Sequence, residues 1–341
     1  MKSHRLESPT MKAIVIDKPG SLDNLYVKEM PEPQPQAGEV RVAVHAAGLN
    51  PADYKFILRG FRTWQYPFIP GLDVAGIIDA VGPGVTAWQV GDAVYYHGNL
   101  SKPGGFAELA IAPAHAIAPA PKNISLAEAA ALPCAGFTAY QVLHRKLHIN
   151  SDQTILINGG AGGVGGFAVQ LASIAGLHII STCSSRNFQW VRHLGAHEVI
   201  DYNTEDVTAR VREITNGVGV NAIVDTVSSD NATASLDMLA FGGGIACVAA
   251  LPDFRKLQSF SRAISVHDVA LGGAYLSGDI KAQKDLAHIG TELSHLVTAG
   301  KINPMLEEVI ELEEIPQALQ RLTQGHVRGK IVAKIRNLYN L

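Results

Sequence analysis

Cysteine is scarce in this chain. Only three occur, Cys134, Cys183 and Cys247, far apart and with no C-x-x-C pair. That excludes a disulfide framework and suits a reducing compartment. Charge is also thin, at 17% of residues with a net of −3 and no basic block, which argues against nucleic acid or an anionic membrane as a partner. No apolar run reaches the ~18 residues of a membrane span. The first ten residues, MKSHRLESPT, lack the apolar core of a signal peptide and read as a loose tail before the first strand. A cytoplasmic protein is the expectation. What is present is apolar bulk, 47% of 341 residues, enough for a large core in about two domains.

The most informative stretch is TILINGGAGGVG at 154–165. An apolar run (Ile155, Leu156, Ile157) breaks into glycine and continues as Val164–Ala175 with helical spacing. Strand, tight glycine turn and helix in that order open a dinucleotide-binding fold. Gly160, Gly162 and Gly165 fit G-x-G-x-x-G, for the turn, the approach to a pyrophosphate and close helix–strand packing respectively. Ala161, Gly163 and Val164 complete the cradle, and the helix N-terminus offers amides to phosphate.

Around this unit the chain changes character twice. Residues 11–125 hold short β-like runs (Met11–Asp17, Glu39–Ala47, Leu72–Val81, Phe106–Ala112) separated by Pro and Gly, the pattern of an irregular antiparallel β domain. Asp92, after Gly91, marks a turn into another strand. Ser125 and Glu128 form a capping box before an Ala-rich helix. From there to about residue 276, strands (Ile155–Asn158, Ile179–Thr182, Val199–Tyr202, Ala222–Thr226, Ile245–Ala249, Val269–Ala274) alternate with helices, which means a parallel sheet covered on both faces. A helix over Ile280–Ala299, a shorter one near Pro316–Thr323 and a strand at Lys330–Ile335 then resume the first character. The expected architecture is α/β: a Rossmann doubly wound domain, 126–276, inserted into a mainly antiparallel β domain made of 1–125 and 277–341, with the ligand in the cleft between them.

A third scarcity bears on the cofactor. NAD sites place Asp or Glu about 20 residues after the glycines to bind the ribose 2′-hydroxyl. Here the second strand runs into Cys183-Ser184-Ser185-Arg186-Asn187 with no carboxylate. Ser184 and Arg186 suit a 2′-phosphate, so NADPH is expected.

The chain strongly resembles the medium-chain dehydrogenase/reductase superfamily, in its zinc-free quinone oxidoreductase-like branch. The resemblance rests on AAGLNPADYK (46–55), PGLDVAGIIDAVGPGV (70–85), GDAV (91–94), GGFAELA (104–110), ALPCAGFTAYQVL (131–143), GGAGGVG (159–165), LGAHEVIDY (194–202) and RGKIV (328–332), which run through almost the whole chain in family order. It implies a GroES-like substrate domain interrupted by the nucleotide domain. It also implies hydride transfer from NADPH and a homodimer, often joined at the edges of the nucleotide-domain sheets. Thr138 matches a position near the nicotinamide, Tyr202 the adenosine end, and Arg328 and Lys330 the cofactor phosphates. Asn50 matches the polar residue beside the nicotinamide, with an Asx-turn before Pro51 as the alternative.

The zinc-dependent members use Cys, His and Cys, and the matching positions are Asn50, Leu72 and Cys134. Leu72 cannot ligate, and one thiolate does not hold zinc. The four-cysteine structural lobe is also missing, since residues 1–133 contain no cysteine. His144 and His148, an i,i+4 pair, lack a third ligand. Without a Lewis acid, simple alcohol oxidation is disfavoured. Hydride addition to an electrophilic acceptor, a quinone or an α,β-unsaturated carbonyl, needs mainly orientation, a donor to oxygen and a proton. Asn50 and Tyr54 are the catalytic candidates. Trp64, Tyr66, Phe68 and Tyr95 are candidates for the pocket wall. A narrow-specificity enoyl or alkene reductase and a catalytically silent NADPH sensor on the same fold are the alternatives.

Overall fold

In the computed structural model, which describes residues 9–325 and 327–336, the proline- and glycine-broken runs fold as strands. The expected N-terminal tail lies, over residues 1–8, outside the described residues. β1 (Thr10–Ile16) and β2 (Leu25–Pro31) form an antiparallel hairpin. β3 (Glu39–Gly48) leads into α1 (Pro51–Arg59), and β4 (Asp73–Val81), β5 (Ala93–His97), β6 (Leu109–Pro113) and β7 (Ala118–Pro119) follow. Valines at alternate positions of β3 (Val40, Val42, Val44) meet Val74, Ile78 and Ala110 in one core, as a half-buried antiparallel sheet requires. α2 (Leu126–Ala130) starts at the expected capping box, with the Ser125 amide donating to Glu128 Oε2 at 2.8 Å.

α3 (Thr138–Tyr140) is a short α-helical turn between two π-helical ones. Six strands and four helices follow it: β8 (Thr154–Asn158), α4 (Gly163–Ile174), β9 (His178–Cys183), α5 (Phe188–His193), β10 (Glu198–Asp201), α6 (Val207–Ile214), β11 (Val220–Asp225), α7 (Ser229–Ser235), β12 (Leu239–Cys247) and β13 (Ser265–Asp268). All six strands pair in parallel in the order β10-β9-β8-β11-β12-β13, the doubly wound 3-2-1-4-5-6 order. Burial on both faces explains why Ile155, Leu156 and Ile157 are consecutive apolar residues.

α8 (Gly273–Leu276), α9 (Ile280–Thr298), β14 (Leu306–Glu311), α10 (Ile315–Thr323) and β15 (Lys330–Lys334) complete the chain. β15 pairs antiparallel with β3 and parallel with β14, so the C-terminal segment does rejoin the first sheet. Two compact units result. One holds residues up to 134, 272–298 and 306 onward; the other holds 135–271 and 299–305.

The unit limits differ from the sequence expectation at both ends. α2 packs on β3 and β4, and Tyr275 of α8 donates its hydroxyl to the His97 carbonyl at 2.8 Å, so both helices stay with the first unit. Residues 299–305 join the second through Gln170, which exchanges hydrogen bonds with the Asn303 backbone at 2.7 and 3.1 Å. The strand expected at Val269–Ala274 is a second correction. The edge strand is Ser265–Asp268 instead, because Gly272-Gly273 ends the extended run and opens α8. No described helix is long and apolar enough to cross a membrane.

Candidate functional site

The second unit holds the glycine turn between β8 and α4. The Gly159 and Gly160 amides are tied to Thr182 of β9, and the Gly162 amide to the Gly159 carbonyl at 3.1 Å. A Cβ on Gly160 would overlap Ser181 Oγ, and one on Gly165 would overlap the Gly159 carbonyl. These two glycines are therefore needed for packing. Gly162 differs, since a Cβ there meets only the Gly159 oxygen at 3.5 Å, and its backbone is extended (φ −80°). Its side faces open space. Gly162 is the N-cap of α4, so Gly163, Val164 and Gly165 form the first turn, where amides have no helical acceptor. No acidic residue sits in that turn. A cradle that a Cβ would fill, next to a positive helix end, fits a pyrophosphate.

β9 ends at Cys183, and Ser184 caps the short turn Ser185–Asn187 that carries Arg186 on the surface. The sequence showed no carboxylate here, but the fold supplies one. β10 pairs with β9 so that Asp201 stands opposite Cys183, and its Oδ2 accepts the Ser185 amide at 3.3 Å. Oδ1 accepts the Asn203 amide and side chain at 3.0 Å. These bonds, led by the Asn203 amide, hold Asp201 below the usual carboxylate range. Asp201 thus braces the Ser184–Arg186 turn. Tyr202, the next residue, is half exposed.

The first unit holds a buried ionic cluster that the sequence did not reveal. Asp73, at the start of β4, is fully buried. Its Oδ1 accepts the Cys134 amide at 2.9 Å and lies 3.3 Å from His97 Nδ1. Its Oδ2 accepts Asn50 Nδ2 at 2.8 Å and lies 3.9 Å from Lys330 Nζ. Lys330, only 4% exposed, donates to the Leu49 carbonyl at 3.0 Å and to Asn50 Oδ1. Asn50 therefore bridges an ammonium and a carboxylate. It is the N-cap of α1, but its side chain makes no cap bond; its backbone amide donates instead to Asp53 Oδ2 at 2.8 Å. Asp53 also accepts the Leu72 amide at 3.2 Å. Burial, reinforced by the neighbouring Asp73, pushes the Asp53 carboxyl up to about 7. Burial, with Asp73 adding to it, also raises the Cys134 thiol well above its ordinary range.

With this geometry in view, the comparisons with known proteins are specific. Residues 36–122 match the family model for the alcohol dehydrogenase GroES-like domain, and 194–332 the model for zinc-binding dehydrogenase. The chain is 32% identical to the mitochondrial NAD(P)H oxidoreductase RTN4IP1 of Danio rerio, over 95% of this chain and 91% of that protein. It is 31% identical to the chloroplastic quinone-oxidoreductase QR1 of Triphysaria versicolor, over 92% of this chain and 95% of that protein. The solved quinone oxidoreductase from Coxiella burnetii is similar to it with a TM-score of 0.83 and 30% identity, over 96% of this chain and 100% of that one. The chain belongs to the medium-chain dehydrogenase/reductase superfamily. Within it, the protein is quinone oxidoreductase-like.

In this dehydrogenase/reductase the residues singled out from sequence fall into separate groups. Gly160–Gly165, Ser184, Arg186 and Tyr202 lie in the second unit at the carboxyl ends of its first three strands; Thr138, also in that unit, is buried at the start of α3. Asn50 and Lys330 are joined in the buried cluster, so Lys330 spends its ammonium inside its own unit, a different employment from the phosphate contact expected of it. Arg328 pairs with Glu307 at 2.6 and 3.0 Å. Tyr54 is half-buried against the core that includes Trp64 and Phe68. Those two rings stack at 4.1 Å, and Trp64 Nε1 donates to the Leu100 carbonyl at 2.8 Å. Tyr95, wholly buried, donates to the Gly290 carbonyl at 2.5 Å. Trp64 and Phe68 also line a small cavity with Asp53, Phe56, Leu72 and Leu100, whereas Tyr95 is core and Tyr66 is exposed.

A zinc ion needs three uncommitted protein donors. Among the described residues, Asp73, His97 and Cys134 place ligand-type atoms within 4.8 Å of one another. However, Asp73 already faces four donors, His97 turns Nδ1 to that carboxylate, and burial pushes the Cys134 thiol up, away from the thiolate that would ligate. As arranged, this set does not fit the ion.

Proposed function

We propose that the chain is an NADPH-dependent reductase that works without zinc and passes hydride to a quinone or an α,β-unsaturated carbonyl. The open side of Gly162 at the N-terminus of α4 carries the cofactor half of this reading. Gly163–Gly165 would hold the pyrophosphate, and Ser184 and Arg186 a 2′-phosphate, with Thr138 and Tyr202 at the nicotinamide and adenosine ends. Bound there, the nicotinamide supplies a hydride. The relatives named as quinone oxidoreductases support the acceptor class.

No metal is invoked because the acceptor already delocalises incoming charge onto oxygen, so orientation and one hydrogen-bond donor suffice. Asn50 supplies that donor in this reading. Its amide has two N–H groups, and Asp73 takes one. Tyr54 is the proton source to test beside it. Consumption of NADPH against a panel of quinones and enones, with and without a chelator, tests the whole reading. Turnover that prefers NADPH and is unaffected by the chelator is the expected result. Tight nucleotide binding with no turnover on any acceptor overturns it in favour of a sensor, and turnover lost to the chelator overturns the zinc-independent part.

A further inference from the structure

We propose that Lys330 is a built-in replacement for a metal ion: its ammonium neutralises Asp73 through Asn50 and keeps divalent ions out of the Asp73–His97–Cys134 group. Asp73 is a carboxylate with no exposure to water, and a buried charge persists only with a partner. Beside the His97 imidazole, which lies 3.3 Å from the other carboxylate oxygen, Lys330 is the permanently charged group that the described residues bring to Asp73, at 3.9 Å, and it is itself 4% exposed. The two are coupled by one amide. Asn50 turns its carbonyl to the ammonium and its N–H to the carboxylate, so its orientation is set by the charges on either side.

The fold brings these groups together through strand pairing: β4 lies antiparallel to β3 with Asp73 opposite Gly48, and to β5 with Asp73 opposite His97. β15 lies antiparallel to β3, with Val332 opposite Gly48 and the Leu49 amide donating to the Ile331 carbonyl at 3.0 Å. That register puts Lys330, the first residue of β15, beside Leu49 and Asn50. An incoming divalent ion would meet a like charge at this distance and a carboxylate whose oxygens already accept hydrogen bonds. Take away the ammonium, and Asp73, His97 and Cys134 remain within 4.8 Å with an uncompensated negative charge, which is the composition of a metal site.

The test is metal binding by the full chain, read by metal content after equilibration with Zn²⁺ and by the cobalt–thiolate charge-transfer band with Co²⁺. Wild type is expected to bind substoichiometrically with no band. Lys330→Met is expected to take up one equivalent and show the band, and to lose the band when Cys134→Ser is added. Lys330→Arg, which keeps the charge, is expected to stay metal-free. Stoichiometric binding by wild type with a band that Cys134→Ser removes overturns the proposal, and so does a cooperatively melting Lys330→Met that stays empty. If Lys330→Met does not fold, the wild-type measurement and Lys330→Gln, neutral yet still a hydrogen-bond donor, decide in the same way. These assays read binding and the acceptor panel reads turnover, so either proposal can fail while the other stands.

Discussion

Arg186 sits in the turn after β9, where a guanidinium can grip a 2′-phosphate with two parallel hydrogen bonds. Arg186→Ala should weaken NADPH binding by about 1–3 kcal/mol and leave NADH nearly unchanged; calorimetry with both nucleotides checks this, and equal losses refute the role. Asp53 gives a different signature. Its carboxyl titrates at about 7 in the fold against an ordinary 3.8. Between those values the folded chain binds more protons than the unfolded one, so this group's contribution to stability falls as pH rises, and is fully lost above about 7. From pH 5 to 8 the loss is about 2–3 kcal/mol. Asp53→Asn should flatten that slope, as urea midpoints across the range would show. An unchanged slope would place the titration elsewhere.

The glycine turn makes two neighbouring glycines answerable to different tests. Gly165→Ala forces a Cβ into the Gly159 carbonyl, so it should lower stability by about 1–3 kcal/mol whether or not nucleotide is present. Gly162→Ala has room and an ordinary backbone, so its melting temperature should stay near wild type while nucleotide affinity falls at least tenfold, about 1.4 kcal/mol. This element was fully legible in the sequence, because strand, turn and helix are contiguous there and each glycine has a local reason. The ionic cluster was not. Asn50, Asp73, His97 and Lys330 lie on four separate segments, and only strand register unites them. Their signal was a charged residue within an apolar run, Asp73 before VAGII and Lys330 before IVA, where a buried charge demands a partner. Asp201 was missed for the same kind of reason, since the carboxylate beside the second strand comes from the third.

At the scale of the whole molecule, β13 closes the parallel sheet and, among the described residues, pairs only with β12. An edge of this kind invites a second copy. Sedimentation equilibrium at micromolar concentration should therefore give twice the chain mass; a monomer would remove the dimer from the account. The placement of Lys330 reaches further than any single assay. A charge borne on the polypeptide arrives with translation, in fixed stoichiometry. It cannot be stripped, diluted away or exchanged for the wrong ion. The working quantity of this protein would then be set by its synthesis alone, and starvation for trace elements would leave it untouched.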